Sequence, residues 1–325
     1  MTSGAGERSG PPFGALPSGT RDVLPDEMRE LRAIEARLRE ALDAAGYSEV
    51  ATPALEYEST LQLADVGEAQ PVYRLFDEQG HVLVLRSDMT VPIARLVATR
   101  YGHADPPLRF CYVAHAYRVV RPQRGQPREF LQAGIELVGE PSPGGTVEVL
   151  TVLCAALDAV GLADYRIGLG DAALYPALLD AAGVDAAGRA PLLHELATRD
   201  FVGLEREVRV AGLDPLLAAV PQRRGGTEVL EGLGPAGNGL RGIVDAVNPD
   251  VATRIIVDLG LARGMGYYTG AVFEVYDPAA GVPLGGGGRY DDLLARFGRP
   301  MPAAGWALNV ERLHIALLAE QERRV

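Results

Sequence analysis

The chain has 325 residues, of which 47% are hydrophobic and 23% charged, and a formal net charge of −12. That mix can bury a sizeable core without disulfide or metal staples. A net acidic chain lacks the overall basic footprint of a free-standing nucleic-acid binder.

Residues 1–18 are rich in Gly, Pro and Ser, with no apolar stretch of signal-peptide type, and are expected to be a disordered tail. Met28, Leu31, Ile34, Leu38 and Leu42 recur at helical spacing and predict an amphipathic helix over 26–45, ended by Gly46. Strands are expected at 49–55, 72–76 and 82–85, and a short helix at 90–101. Residues 108–117 and 129–138 read as two strands whose connecting loop is too short for a crossover helix, so they should pair antiparallel. A helix at 145–160 and a strand at 165–170 follow. A mostly helical insertion then runs over about 172–250. Strands return at 253–259 and 268–276. The glycine run at 285–288 is expected as a turn before a helix at 291–297, followed by a strand at 305–309 and a terminal helix from Glu311. This order predicts an α+β fold with an antiparallel sheet flanked by helices.

Several segments carry chemistry. Arg118, Arg121, Arg124 and Arg128 crowd one hairpin loop, where they repel one another unless an anion or carboxylates neutralise them. Such a loop suits phosphate or carboxylate, though a solvated basic loop has the same composition. On the second hairpin strand, Gln132 and Glu136 face one way with Gly134 between them, which would leave room for a ligand near the sheet. A half-exposed polar sheet face is the plainer alternative. Asp88 or Thr90 can cap the helix that follows, and the same carboxylate can hold a ligand ammonium. The glycine run lacks the lysine of a P-loop and the spacing of a dinucleotide fold. All 31 basic residues are arginine, a pattern most simply read as compositional bias. Cys111 and Cys154 form no C-x-x-C pair and are expected to be buried thiols in a reducing, cytoplasmic setting. The five histidines show no metal-ligand spacing, so no metal or other cofactor is expected. No uninterrupted apolar run has membrane-spanning length.

Read together, these segments resemble the class II aminoacyl-tRNA synthetases, and histidyl-tRNA synthetase in particular. Pro17 to Asp22 with Pro25 resembles the N-terminal signature of that family. Tyr117–Arg118, Arg121–Pro122–Gln123 and Arg128 to Gln132 resemble motif 2. Arg263–Gly264 with Tyr267–Tyr268–Thr269, and Gly287 to Asp291, resemble the two histidine-specific signatures. Gly305–Trp306–Ala307 with Glu311–Arg312–Leu313 resembles motif 3. The departures point to a paralogue. Val119 and Val120 stand where a synthetase carries an adenine-contacting glutamate, and Asn309 stands where it carries glycine. The chain also stops within about one helix of Arg312, so no anticodon-binding domain is expected after a single core at 19–325. Asp88–Met89–Thr90 resembles the regulatory paralogues that partner short-form ATP phosphoribosyltransferase.

That resemblance implies a non-catalytic subunit in histidine biosynthesis that mediates feedback inhibition by histidine. It would be a homodimer within a hetero-oligomer containing the catalytic subunit, without tRNA as a partner. It implies that Asp88, Thr90 and Gln132 take the ammonium of a bound histidine. Glu136, with Tyr268 and its neighbour Tyr267, would read the imidazole, and Arg263 would take the carboxylate. Arg118, Arg121 and Arg312 would be what remains of a nucleotide or anion site. The competing expectation is a free-standing ligase that still activates histidine.

Overall fold

The computed structural model describes residues 14–64, 71–119, 127–261 and 266–324. Val120, Arg121, Arg124 and Arg263 lie outside the described residues, as do residues 1–13 of the expected tail.

The chain opens on α1 (Pro25–Ala44), β1 (Ser48–Glu49), β2 (Leu55–Tyr57), α2 (Glu58–Leu63), β3 (Arg74–Phe76), β4 (Val82–Leu85) and α3 (Thr90–Arg100). A long hairpin, β5 (Leu108–Tyr117) and β6 (Glu129–Val138), leads to α4 (Gly144–Val160) and β7 (Arg166–Asp171). The helical stretch holds α5 (Leu174–Ala181), α6 (Ala186–Thr198), α7 (Phe201–Val210), α8 (Leu216–Ala219), the short β8 (Arg224–Gly225), α9 (Asn238–Ala246) and α10 (Pro249–Ala252). Then come β9 (Ile255–Asp258), β10 (Ala271–Tyr276), β11 (Gly285–Arg289), α11 (Leu293–Arg296), β12 (Ala303–Asn309) and α12 (Val310–Arg324).

Among the described residues, nine strands form one sheet in the order β1-β5-β6-β12-β11-β10-β7-β9-β8. The five pairings from β5 through to β7 are antiparallel, as expected. Toward its edges the sheet is mixed, because β1 pairs with β5 and β7 with β9 in parallel. A second, three-stranded sheet runs β2-β4-β3.

α1 forms where its apolar spacing predicts. Pro25 sits at the first turn, Asp26 and Glu27 favour the positive end of the helix dipole, and Gly46 just beyond the end adopts a positive φ of 83°. Leu31, Ile34, Leu38 and Leu42 are buried, whereas Met28 stays 37% exposed. This stripe and α4 cover one face of the sheet, packing on Ala133, Ile135 and Leu137 of β6 and on Trp306 of β12. On the other face Leu108, Phe110 and Tyr112 join residues of α3 and α11 in a second apolar cluster. Two expectations fail. The strand expected at 49–55 breaks into β1 and β2. The glycine run is no turn but the central strand β11, hydrogen-bonded on both sides. Glycine is needed there because the neighbours come too close for a side chain: a Cβ on Gly287 would lie 2.7 Å from the Trp306 Cα.

Cys111 and Cys154 are free and buried, as expected. His81 pairs with Asp77 at 2.8 Å and His314 with Glu30 at 2.6 Å, so these two serve local packing. Among the described residues no group of His, Cys, Asp and Glu is arranged to hold a metal, and no helix is long and apolar enough to cross a membrane.

Candidate functional site

Strand register builds the site. Opposite residues in antiparallel strands share a face. Glu136 lies opposite Phe110 on one side and Gly305 on the other, Gly134 opposite Tyr112 and Ala307, and Gln132 opposite Ala114 and Asn309. Gly288 then lies opposite Gly305, and Gly286 opposite Ala307 and Glu274. This face therefore carries polar residues among very small ones, which leaves a hollow over the sheet. The cavity there measures about 260 Å³. It falls just below the range of roughly 300–1,000 Å³ for drug-sized ligands, which suits a small polar molecule.

Asp88, Thr90, Gln132, Tyr267 and Tyr268 line one part of the cavity, and Arg118 and Arg312 line it as well. Glu136 is not part of the cavity lining. It lies behind Thr90 and Tyr290, which do line it. The Thr90 hydroxyl is hydrogen-bonded to Glu136 Oε1 at 2.8 Å, and the Tyr290 hydroxyl is hydrogen-bonded to Oε2. The Thr90 hydroxyl is thus engaged by Glu136 on its far side and keeps at least one lone pair for the cavity it lines. The space beside Gly134 is also not left for a ligand. The Tyr112 ring fills it, with its Cζ 2.5 Å from where a Cβ would be, and Tyr112 itself lines the cavity.

Asp88 does both things its position allows. Its Oδ1 accepts from the Val91 backbone N–H at 3.3 Å, capping the start of α3, and it lines the cavity while only 7% exposed. Gln132 is buried, and its Oε1 has no hydrogen-bond partner. An unsatisfied buried carbonyl costs about 1–3 kcal/mol, a cost that a bound donor would offset. Tyr267 packs edge-on against Tyr290, with ring centroids 5.7 Å apart, and its ring is 5.0 Å from that of Tyr268. Tyr268 lies over Gly288, where a Cβ would come within 2.8 Å of its ring.

At the other end, the Arg118 guanidinium stacks 4.9 Å over the Phe130 ring. Arg312 donates from Nη1 to the Pro283 carbonyl at 2.5 Å, and burial holds its guanidinium below the usual range. Asn309 accepts the Arg312 N–H at 2.8 Å, so the side chain that lines this end also caps α12. Glu274 lines the same end, a carboxylate where an anion subsite would favour none.

Burial drives the Glu136 carboxyl well above its usual range. The Asp88 charge pushes the same way, and the Thr90 hydroxyl opposes both. Burial likewise raises the Tyr112 and Tyr267 phenols, so both stay neutral. Tyr290, Tyr112 and Glu274 had no role assigned from sequence. Strand register puts Tyr112 and Glu274 on the same face as Gln132 and Glu136, and Tyr290 lies in the second histidine-specific signature.

A mixed sheet with a polar, amino-acid-sized hollow over its antiparallel centre defines a class II synthetase-like core. The histidyl-tRNA synthetase family profile matches residues 19–313. A crystal structure described as an ATP phosphoribosyltransferase regulatory subunit/histidyl-tRNA synthetase from Bacillus halodurans is 33% identical. It superposes with a TM-score of 0.86, covering 94% of this chain and 84% of that one. A histidine–tRNA ligase subunit from Alicyclobacillus acidocaldarius is 32% identical with a TM-score of 0.77, over 96% of this chain and all of that one. The ATP phosphoribosyltransferase regulatory subunit of Symbiobacterium thermophilum is 42% identical over 323 residues, 95% of this chain and 80% of its own length. Within the histidyl-tRNA synthetase-like class, the chain belongs to the ATP phosphoribosyltransferase regulatory subunit family.

Proposed function

We propose that the chain binds free histidine in the cavity over the sheet and passes that occupancy to a separate catalytic chain of short-form ATP phosphoribosyltransferase. Its family places it as a regulatory, non-catalytic subunit in histidine biosynthesis. The observation that carries the ligand reading is the unpartnered carbonyl of Gln132, a residue that lines the same hollow as Asp88. A carboxylate and an unpartnered carbonyl on one hollow suit an ammonium donor. Tyr268 offers a phenol to the ligand's side chain. Arg263, outside the described residues, would take the ligand carboxylate, and Arg121, also outside them, would join Arg118 and Arg312 in the remnant anion site. The subunit would act as a homodimer inside a hetero-oligomer, in the cytoplasm, without tRNA.

The activating-ligase reading meets an obstacle at the nucleotide end, where the Asn309 side chain and the Glu274 carboxylate line the cavity. Calorimetry with histidine and with ATP on the purified chain separates the two readings. Histidine binding with no ATP binding in the same concentration range is expected. Histidine-dependent exchange of pyrophosphate into ATP at a synthetase-like rate would overturn the regulatory reading.

A further inference from the structure

Glu136 is 2% exposed, and no cation touches it among the described residues. Its neighbours come from every element around it. Thr90 comes from α3, Asp88 from the turn before α3, Tyr112 from β5, Tyr290 from just past β11, Tyr267 from the segment before β10, and Tyr47 from the turn between α1 and β1. On β12, Gly305 leaves the space that Glu136 occupies, since a Cβ there would collide with Glu136 Oε2. The charged or chargeable groups are thus a second carboxyl, Asp88, and neutral phenols. Two carboxyls buried beside one another, 2% and 7% exposed, cannot both stay ionised cheaply.

We infer that Glu136 is a neutral acid in the empty cavity and becomes a carboxylate when a cationic ligand binds, so that it sets the hydrogen-bond polarity of the site from behind its wall. The inference rests on the reading of the cavity as the histidine site. A hydroxyl has one proton to give and two lone pairs to offer. While Glu136 holds its proton, it donates to one of its two hydroxyl neighbours, and that hydroxyl turns its own proton toward the cavity. Once Glu136 is ionised, Thr90 and Tyr290 both donate inward to it. Their lone pairs then face the cavity, where they accept from a ligand ammonium or ring N–H. In this step the Glu136 O–H bond breaks. The proton passes along the hydroxyl into the cavity and is taken up by the ligand's ring nitrogen or by water. The arriving positive charge supplies the drive, because an opposite charge within about 4–6 Å favours the ionised form. Glu136 is therefore a positioning residue, acting on the ligand through Thr90 and Tyr290.

The test is infrared difference spectroscopy of the full chain with and without saturating histidine, with occupancy confirmed by calorimetry. Histidine is expected to remove a protonated-carboxyl band and add a carboxylate band. Both changes should be missing in Glu136→Gln. Tyr290→Phe, which keeps the ring, guards against a Glu136 variant that fails to fold. It should retain the band and weaken binding about two- to tenfold, the loss of one neutral hydrogen bond. Histidine bound with no carboxyl change in the wild type would overturn the inference. Absence of histidine binding by calorimetry would instead remove the ligand reading beneath it, and the inference with it.

Discussion

At the scale of single residues, the site depends on close contacts that tolerate no added atoms. Gly305 is the sharpest case. A methyl group there would meet both Glu136 Oε2 and the Ile135 carbonyl. Gly305→Ala is therefore expected to abolish histidine binding and to destabilise the fold by about 1–3 kcal/mol, as overpacking does. Calorimetry and a denaturant melt check the two parts, and an alanine variant with unchanged affinity would refute the geometry. Gln132→Leu makes the opposite test. It removes a buried carbonyl that has no partner in the empty protein, so stability should hold or rise while histidine affinity falls. Loss of stability without loss of affinity would make Gln132 a structural residue.

At the scale of elements, much of the fold was legible because side chains alternate or recur. β5 and β6 lie at the boundaries that alternation predicted, and α1 shifts by a single residue. β11 was illegible for the converse reason. Four glycines carry no pattern, and their fitness for a crowded central strand appears only when Trp306 and Tyr268 are in place. The site divided in the same way. Asp88, Gln132 and Glu136 could be picked from the sequence by type and spacing. The Tyr290–Glu136 bond could not, because its partners are 154 positions apart.

α12 carries a pH-dependent contact of its own. Glu320 on this helix accepts the Asp164 N–H at 2.8 Å and pairs with Arg324 at 2.9 Å. The nearby Asp277 side chain is fully buried, with Arg323 3.8 Å away, and its Oδ2 has no donor. Burial and the adjacent Glu320 raise the Asp277 carboxyl above its usual range. A raised folded pKa means that the stabilisation is complete below the ordinary value of about 3.9 and is lost as pH climbs through the folded value. The melting temperature should therefore drop across that interval, and Asp277→Asn should flatten the drop and raise stability at neutral pH. Parallel slopes for the two proteins would show that this pair does not control the pH response.

At the scale of the whole molecule, the family assigns a regulatory role, and the proposed function makes the cavity the place where its signal enters. Coupling between two sites is reciprocal, so histidine here and substrate on the catalytic chain must shift each other's affinity by the same factor. The most direct test is histidine inhibition of the complex reconstituted from this chain and a short-form transferase, measured for wild type and Glu136→Gln side by side. Replacing the carboxyl should weaken histidine binding and raise the inhibitory concentration by about ten- to a hundredfold, given roughly 1.5–3 kcal/mol for a charge-assisted hydrogen bond. Equal inhibition of both complexes, with equal histidine affinity, would place the sensor outside this cavity and contradict the account.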